Sequence, residues 1–215
     1  MNVRANAAAV AVGAALLCAV LGFGVTPNPP GALDRAGRAL AGELPYVALA
    51  FTASCWWYVL AAFAVAGIAL ALAVPSWRAR VAFSVVTTLV AWQGSDAVKN
   101  AFGRARPDYG ILHIETSASY PSGHAMFAVV VYGLWSYYVA TSALPAGLRR
   151  ALTALLAVWA AGVLWSRLAL GAHYVTDLLG GLLFGIAMLA LATALAPAAT
   201  RPPSARAAAA ADGTP

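Results

Sequence analysis

Six apolar runs leave this chain few ways to fold. They lie at about 6–25, 46–74, 80–99, 122–141, 150–167 and 174–196, and each is long enough to cross the hydrocarbon core of a bilayer as a helix. Inside lipid every backbone polar group must be satisfied within the protein, and a helix does this within one segment. The fold class expected is therefore all-α, a polytopic membrane protein built as a six-transmembrane-helix bundle. Composition agrees: 62% of the 215 residues are hydrophobic, 9% are charged, and the mean hydropathy is +0.79. A soluble domain carries about 25% charged residues.

Pro45, Pro75, Pro107, Pro121 and Pro145 punctuate the joins between runs. The first run has a single Arg before it and no clear small-x-small site after it, so it reads as an uncleaved span rather than a signal peptide. Between the first two spans, residues 31–44 place Leu33, Gly37, Leu40 and Leu44 at helical spacing, with Asp34, Arg35, Arg38 and Glu43 on the remaining faces. This predicts a short helix lying in the headgroup layer. One bundle domain is expected over 1–196, followed by a disordered Ala/Pro-rich tail at 197–215. Cys18 and Cys55 fall inside apolar runs and read as small buried hydrophobes.

The net charge of +6 comes in short clusters between apolar runs, which suits membrane orientation rather than nucleic acid. Six spans put both termini on one side. That side carries Arg4, Arg78, Arg80, Arg149, Arg150, Arg201 and Arg206, with Asp212. The other carries Arg35, Arg38, Lys99, Arg104, Arg106 and Arg167, with six acids. Several cations of the second set stand where a binding site would hold them for another reason. Discounting those, both termini are expected in the cytoplasm, and the polar cluster faces the periplasmic or extracellular side.

Three stretches gather at that face. "KNAFGRARP" runs from Lys99 to Pro107, with Lys99 and Arg106 on one side of a continuing helix. "YPSGH" ends in His124, with Pro121 suited to a first helical turn and the amides of Ser122 and Gly123 free to meet an anion. "SRLALGAHYVTD" sets His173 four residues before Asp177, with Arg167 closing the preceding span. Singly, each has a plain explanation: cations reaching for headgroups, a helix cap, a structural His–Asp hydrogen bond. Together they place three cations, two histidines and an aspartate near one membrane boundary, where charge is costly without a purpose.

A phosphate supplies the purpose. Lys99, Arg106 and Arg167 neutralise a phosphoryl dianion, Ser122 and Gly123 donate to its oxygens, and Asp177 orients His173 so that one ring nitrogen is a nucleophile. His124 is the acid that protonates the leaving oxygen and then the base that activates water. A metal site from His113, His124, His173 and Asp177 is the competing use of these residues. Three nearby cations and the lack of a carboxylate cluster disfavour it.

The three stretches resemble the type 2 phosphatidic acid phosphatase (PAP2), or lipid phosphate phosphatase, family. Its pattern K-x6-R-P, P-S-G-H and S-R-x5-H-x3-D is met at Lys99 to Pro107, Pro121 to His124 and Ser166 to Asp177. The resemblance implies a phosphatase that uses a phosphohistidine intermediate and no metal or other cofactor. His173 is then the nucleophile, His124 the acid/base and Asp177 the orienting carboxylate; Lys99, Arg106, Ser122, Gly123 and Arg167 hold the phosphate. Arg104 lies outside the pattern and at most assists. The implied partner is a membrane lipid phosphate: polyprenyl diphosphate such as undecaprenyl diphosphate, phosphatidylglycerol phosphate or phosphatidate. The Ala-rich composition reads as bacterial, which places the chain in the cytoplasmic membrane. Trp56, Trp57, Tyr58, Tyr109 and Tyr120 are expected as an interfacial belt or lipid entrance. The rival class is an anion or lipid transporter, or flippase, that uses the basic pocket without hydrolysis; it calls for a broken helix or polar groups at mid-membrane.

Overall fold

The structure, a computed structural model, describes residues 3–42, 44–108 and 115–195. Among these residues every regular element is helical. Helix α1 (Val3–Val25) lies along α9 (Val175–Leu195), and α2 (Ala32–Ala41) crosses the ends of α8 (Ala146–Ala169) and α9. Helices α3 (Pro45–Ala53) and α4 (Trp57–Ala73) lead through a 3-10 turn at Pro75–Trp77 into α5 (Arg78–Phe102). The PSGH stretch opens α6 (Gly123–Phe127), which runs through π-helical turns at Ala128–Gly133 into α7 (Leu134–Ala140). The tail at 197–215, Glu43, Tyr109 and His113 lie outside the described residues.

Among the described residues four single helices are long and apolar enough to cross a membrane, or five spans if the bent pair α3 and α4 counts as one. The expected single span at 46–74 is broken, with a 46° bend at residues 54–56. No proline causes the break. The Ser54 hydroxyl donates back to the Phe51 carbonyl at 2.7 Å, in competition with the helix ladder. The Ser54 carbonyl freed by the bend accepts from Tyr132 Oη at 3.2 Å, and Trp159 Nε1 donates to Ser54 Oγ at 3.0 Å. The run at 122–141 is helical but not uniform, since its middle is wound wide as π turns.

Three other expectations need correction. On α2 the buried side is Asp34 and Ala41, with Gly37 against Val175 and Leu168, whereas Leu33 and Leu40 are exposed. Gly37 therefore belongs to the protein-facing stripe and Asp34 is not on a solvated face. Tyr120 is no belt residue: it is fully buried, its hydroxyl donates to the Cys18 carbonyl, and its ring packs edge-on to Phe102. Trp57 and Tyr58 are exposed. Finally, α5 does not continue to Arg106. Gly103 takes φ 63° and its N–H closes on the Lys99 carbonyl, a left-handed cap that ends the helix after Phe102.

Helices α6 and α9 meet at backbone distance. A Cβ on Gly181 would lie 2.2 Å from the Ser122 carbonyl oxygen and 2.8 Å from the Ala125 Cβ. Neither neighbour swings away, so Gly181→Ala must push the helices apart. We expect a loss of about 1–3 kcal/mol, read as a lower thermal midpoint in detergent. An unchanged midpoint would mean that the two helices are not this close.

Candidate active site

The ends of α5, α6, α8 and α9 bring the three sequence stretches together. Lys99 and Arg106 converge without sharing a helix, because both reach Ser117: Lys99 Nζ donates to Ser117 Oγ at 3.3 Å, and Arg106 Nη2 donates to it at 3.0 Å. Arg106 is further fixed by the carbonyls of Ser117 (2.6 Å) and Ala172 (2.8 Å). Its Nη1 also lies 3.1 Å from His173 Nε2.

That contact sets the imidazole tautomer. A guanidinium N–H only donates, so Nε2 of His173 accepts, and the hydrogen-bond pattern assigns the ring proton to Nδ1. Nδ1 faces Asp177 Oδ2 at 3.5 Å and Ser119 Oγ at 3.4 Å. His173 lies in the turn between α8 and α9, almost wholly buried. Burial pushes its pKa down to about 3, against the opposing hydrogen bond to Asp177. The ring is therefore neutral at pH 7, with a lone pair on Nε2.

Asp177 is fully buried and heavily bonded. Oδ2 accepts from Ser119 Oγ at 2.5 Å and Tyr174 N at 2.9 Å, and Oδ1 accepts from Arg104 at 2.5 Å. Its backbone carbonyl accepts from the Ser122 N–H at 3.0 Å. That bond changes one sequence expectation, because the Ser122 amide is already used and cannot also meet an anion. Ser122 is instead the N-cap of α6, accepting from Ala125 N at 3.4 Å, and Pro121 stands before the cap rather than in the first turn. Gly123 faces Lys99: a Cβ there would be 3.8 Å from Lys99 Nζ and from Ser95 Oγ.

Arg167 is 2% exposed. It donates to Thr52 Oγ1 at 2.5 Å and to Glu115 Oε1 at 2.5 Å, while its Nε is buried without a partner among the described residues. Glu115 also lies 3.8 Å from Arg106. Burial works to raise the Glu115 pKa, but Arg167 and Arg106 outweigh it and hold the carboxyl below its usual range. A carboxylate anion thus bridges the two guanidinium groups expected to take phosphate. His124 Nε2 is buried with no hydrogen-bond partner among the described residues.

Sequence reasoning missed five polar side chains here: Asp34, Thr52, Glu115, Ser117 and Ser119. It also left Arg104 at the margin. Among the described residues no three His, Cys, Asp or Glu side chains gather as a metal cage.

An all-helical membrane bundle with two histidines and three cations at neighbouring helix ends defines a class, and the chain belongs to it: residues 77–201 match the PAP2 superfamily. It is an integral membrane protein. Over 95 residues it is 37% identical to phosphatidylglycerophosphatase B of Bacillus subtilis (strain 168), covering 44% of this chain and 47% of that protein. Over 83 residues it is 45% identical to phosphatidylglycerophosphatase B of Escherichia coli (strain K12), covering 38% of this chain and 30% of that protein. The matched stretch thus spans about half the length of the first relative and about a third of the second. A crystal structure of a transmembrane PAP2 type phosphatidylglycerolphosphate phosphatase from Bacillus subtilis superposes with a TM-score of 0.71 at 25% identity, over 86% of this chain and 94% of that one.

Proposed function

We propose that this protein is a metal-independent lipid phosphatase that works through a phosphohistidine. The observation that carries this reading is the 3.1 Å approach of Arg106 Nη1 to His173 Nε2. A phosphate held by that guanidinium has its phosphorus beside the ring lone pair, while Asp177 holds the far side of the ring. In the first step Nε2 attacks phosphorus and the P–O bond to the lipid breaks, with His124 giving its proton to the leaving oxygen. In the second, His124 takes a proton from water as it attacks phosphorus, the P–N bond breaks, and inorganic phosphate leaves with His173 neutral again. Lys99, Arg106, Arg167 and the Gly123 amide hold the equatorial oxygens, where charge builds up. The Ser122 hydroxyl is free to donate beside them.

The substrate favoured is phosphatidylglycerol phosphate, as the relatives' names suggest, with phosphatidate and polyprenyl diphosphates next. The run at 122–141 is taken as a span, which gives six, both termini in the cytoplasm and the site on the outer face. The break at 54–56 is the feature a carrier would use. The Ser54 carbonyl and hydroxyl at that break are already bonded to Tyr132 and Trp159, so neither is open to a carried ligand.

The test is phosphate release by the purified protein from a panel of lipid mono- and diphosphates, with and without EDTA. Release that survives chelation is expected. Loss on chelation, restored by a divalent cation, would replace this mechanism with a metal-dependent one.

A further inference from the structure

We propose that Asp34 and Arg104 are positioning residues, through which helix α2 braces the His173–Asp177 pair. The inference rests on the phosphatase reading above. The bracing is a continuous set of bonds in a buried space. Arg104 Nη1 meets Asp177 Oδ1 at 2.5 Å, and Arg104 Nη2 meets Asp34 Oδ2 at 3.1 Å. The side chains of Arg104, Asp34 and Asp177 are only 4%, 2% and 0% exposed. Thr176 closes the set: its hydroxyl accepts from Arg104 at 2.7 Å and lies 2.9 Å from Asp34 Oδ1.

Asp34 acts on α9 in a second way. The first N–H groups of a helix have no partner within it, and Asp34 Oδ1 accepts from the Thr176 N–H at 2.9 Å. A residue far away in sequence therefore caps the helix turn that carries Asp177. The cap and the guanidinium fork fix the carboxylate from two directions.

Charge gives the arrangement a role beyond anchoring. Two carboxylates and one guanidinium leave the buried trio with one net negative charge, next to a ring that becomes cationic when Nε2 takes the phosphoryl group. That charge favours the step. Neutralising Asp34 turns Arg104 wholly toward Asp177 and weakens the hold of Asp177 on the imidazolium. None of the phosphate-holding groups touches Asp34, so binding is spared. The expected signature of Asp34→Asn is a fall in kcat of about 10- to 100-fold with KM within about twofold.

The experiment uses the full-length protein in detergent micelles with the lipid phosphate that the wild type hydrolyses fastest. It compares kcat, KM and thermal midpoint for wild type, Asp34→Asn, Arg104→Lys and the double variant. Effects on kcat that are less than multiplicative are expected in the double variant, because both changes cut one relay. Full kcat in Asp34→Asn, a rise in KM at constant kcat, or fully multiplicative losses would each overturn the relay while leaving the phosphatase reading intact. A wild type that releases no phosphate from any lipid sinks both. If Asp34→Asn does not survive extraction, Thr176→Val removes the bridging hydroxyl and is expected to show the same split; full kcat there overturns the relay.

Discussion

His173→Ala is expected to abolish lipid phosphate release, with a loss of about four orders of magnitude or more in kcat. The ring nitrogen that it removes is the one beside Arg106 Nη1. The first chemical step then has no nucleophile, and water must attack directly. Quenched wild type should carry an alkali-stable, acid-labile phosphoryl group that His173→Ala lacks. Residual turnover within tenfold of wild type would reject the phosphohistidine route. His173→Gln adds a stability test. The folded ring has its pKa pushed down to about 3, while an unfolded histidine titrates near 6.5. Between those values the unfolded chain binds a proton that the fold refuses, so stability is complete above pH 6.5 and drains away as the pH falls. By pH 5 the loss from this one group is about 2 kcal/mol. Wild type should therefore lose more thermal stability between pH 7 and pH 5 than His173→Gln does. Equal losses would mean that the ring is not buried neutral.

How much of this could be read from the chain depended on what fixes each residue. Lys99, Arg106, Ser122, His124, Arg167, His173 and Asp177 stand at fixed spacings near the ends of apolar runs, and both the spacing and the cost of charge in lipid are sequence properties. Their convergence was foreseeable; its route was not. Lys99 and Arg106 meet through Ser117 after a glycine cap rather than along one helix. Ser117, Ser119 and Glu115 lie in a connecting segment with no periodicity to interpret, so only tertiary packing reveals their partners. Asp34 was legible as part of an amphipathic helix, yet nothing in the spacing showed that it turns inward. In a membrane protein the exposed side of a helix can be the apolar one, so Leu33 and Leu40 point outward and a buried carboxylate faces the protein. The break at 54–56 was equally hidden. Ser54 is an ordinary residue in a span unless Tyr132 and Trp159 arrive to satisfy the groups that the bend releases.

Arg167→Lys is expected to lower kcat/KM by about 10²- to 10³-fold although the charge is kept. Arg167 extends three donors in different directions: one to Thr52, one to Glu115, and Nε to nothing among the described residues. A buried N–H without a partner is costly, and a phosphate oxygen is a group that relieves the cost only while it is bound. The Glu115 carboxylate marks the same place as one that suits an anion, since it bridges Arg167 and Arg106. Lysine can present one ammonium to that space but cannot hold Thr52 and an anion together, so the loss should appear in kcat as well as KM. Arg167→Ala is the poorer test, because it strands Glu115 without its strongest partner and mixes folding with catalysis. A lysine variant within threefold of wild type would show that charge alone suffices at this position, and the planar fork would drop out of the mechanism.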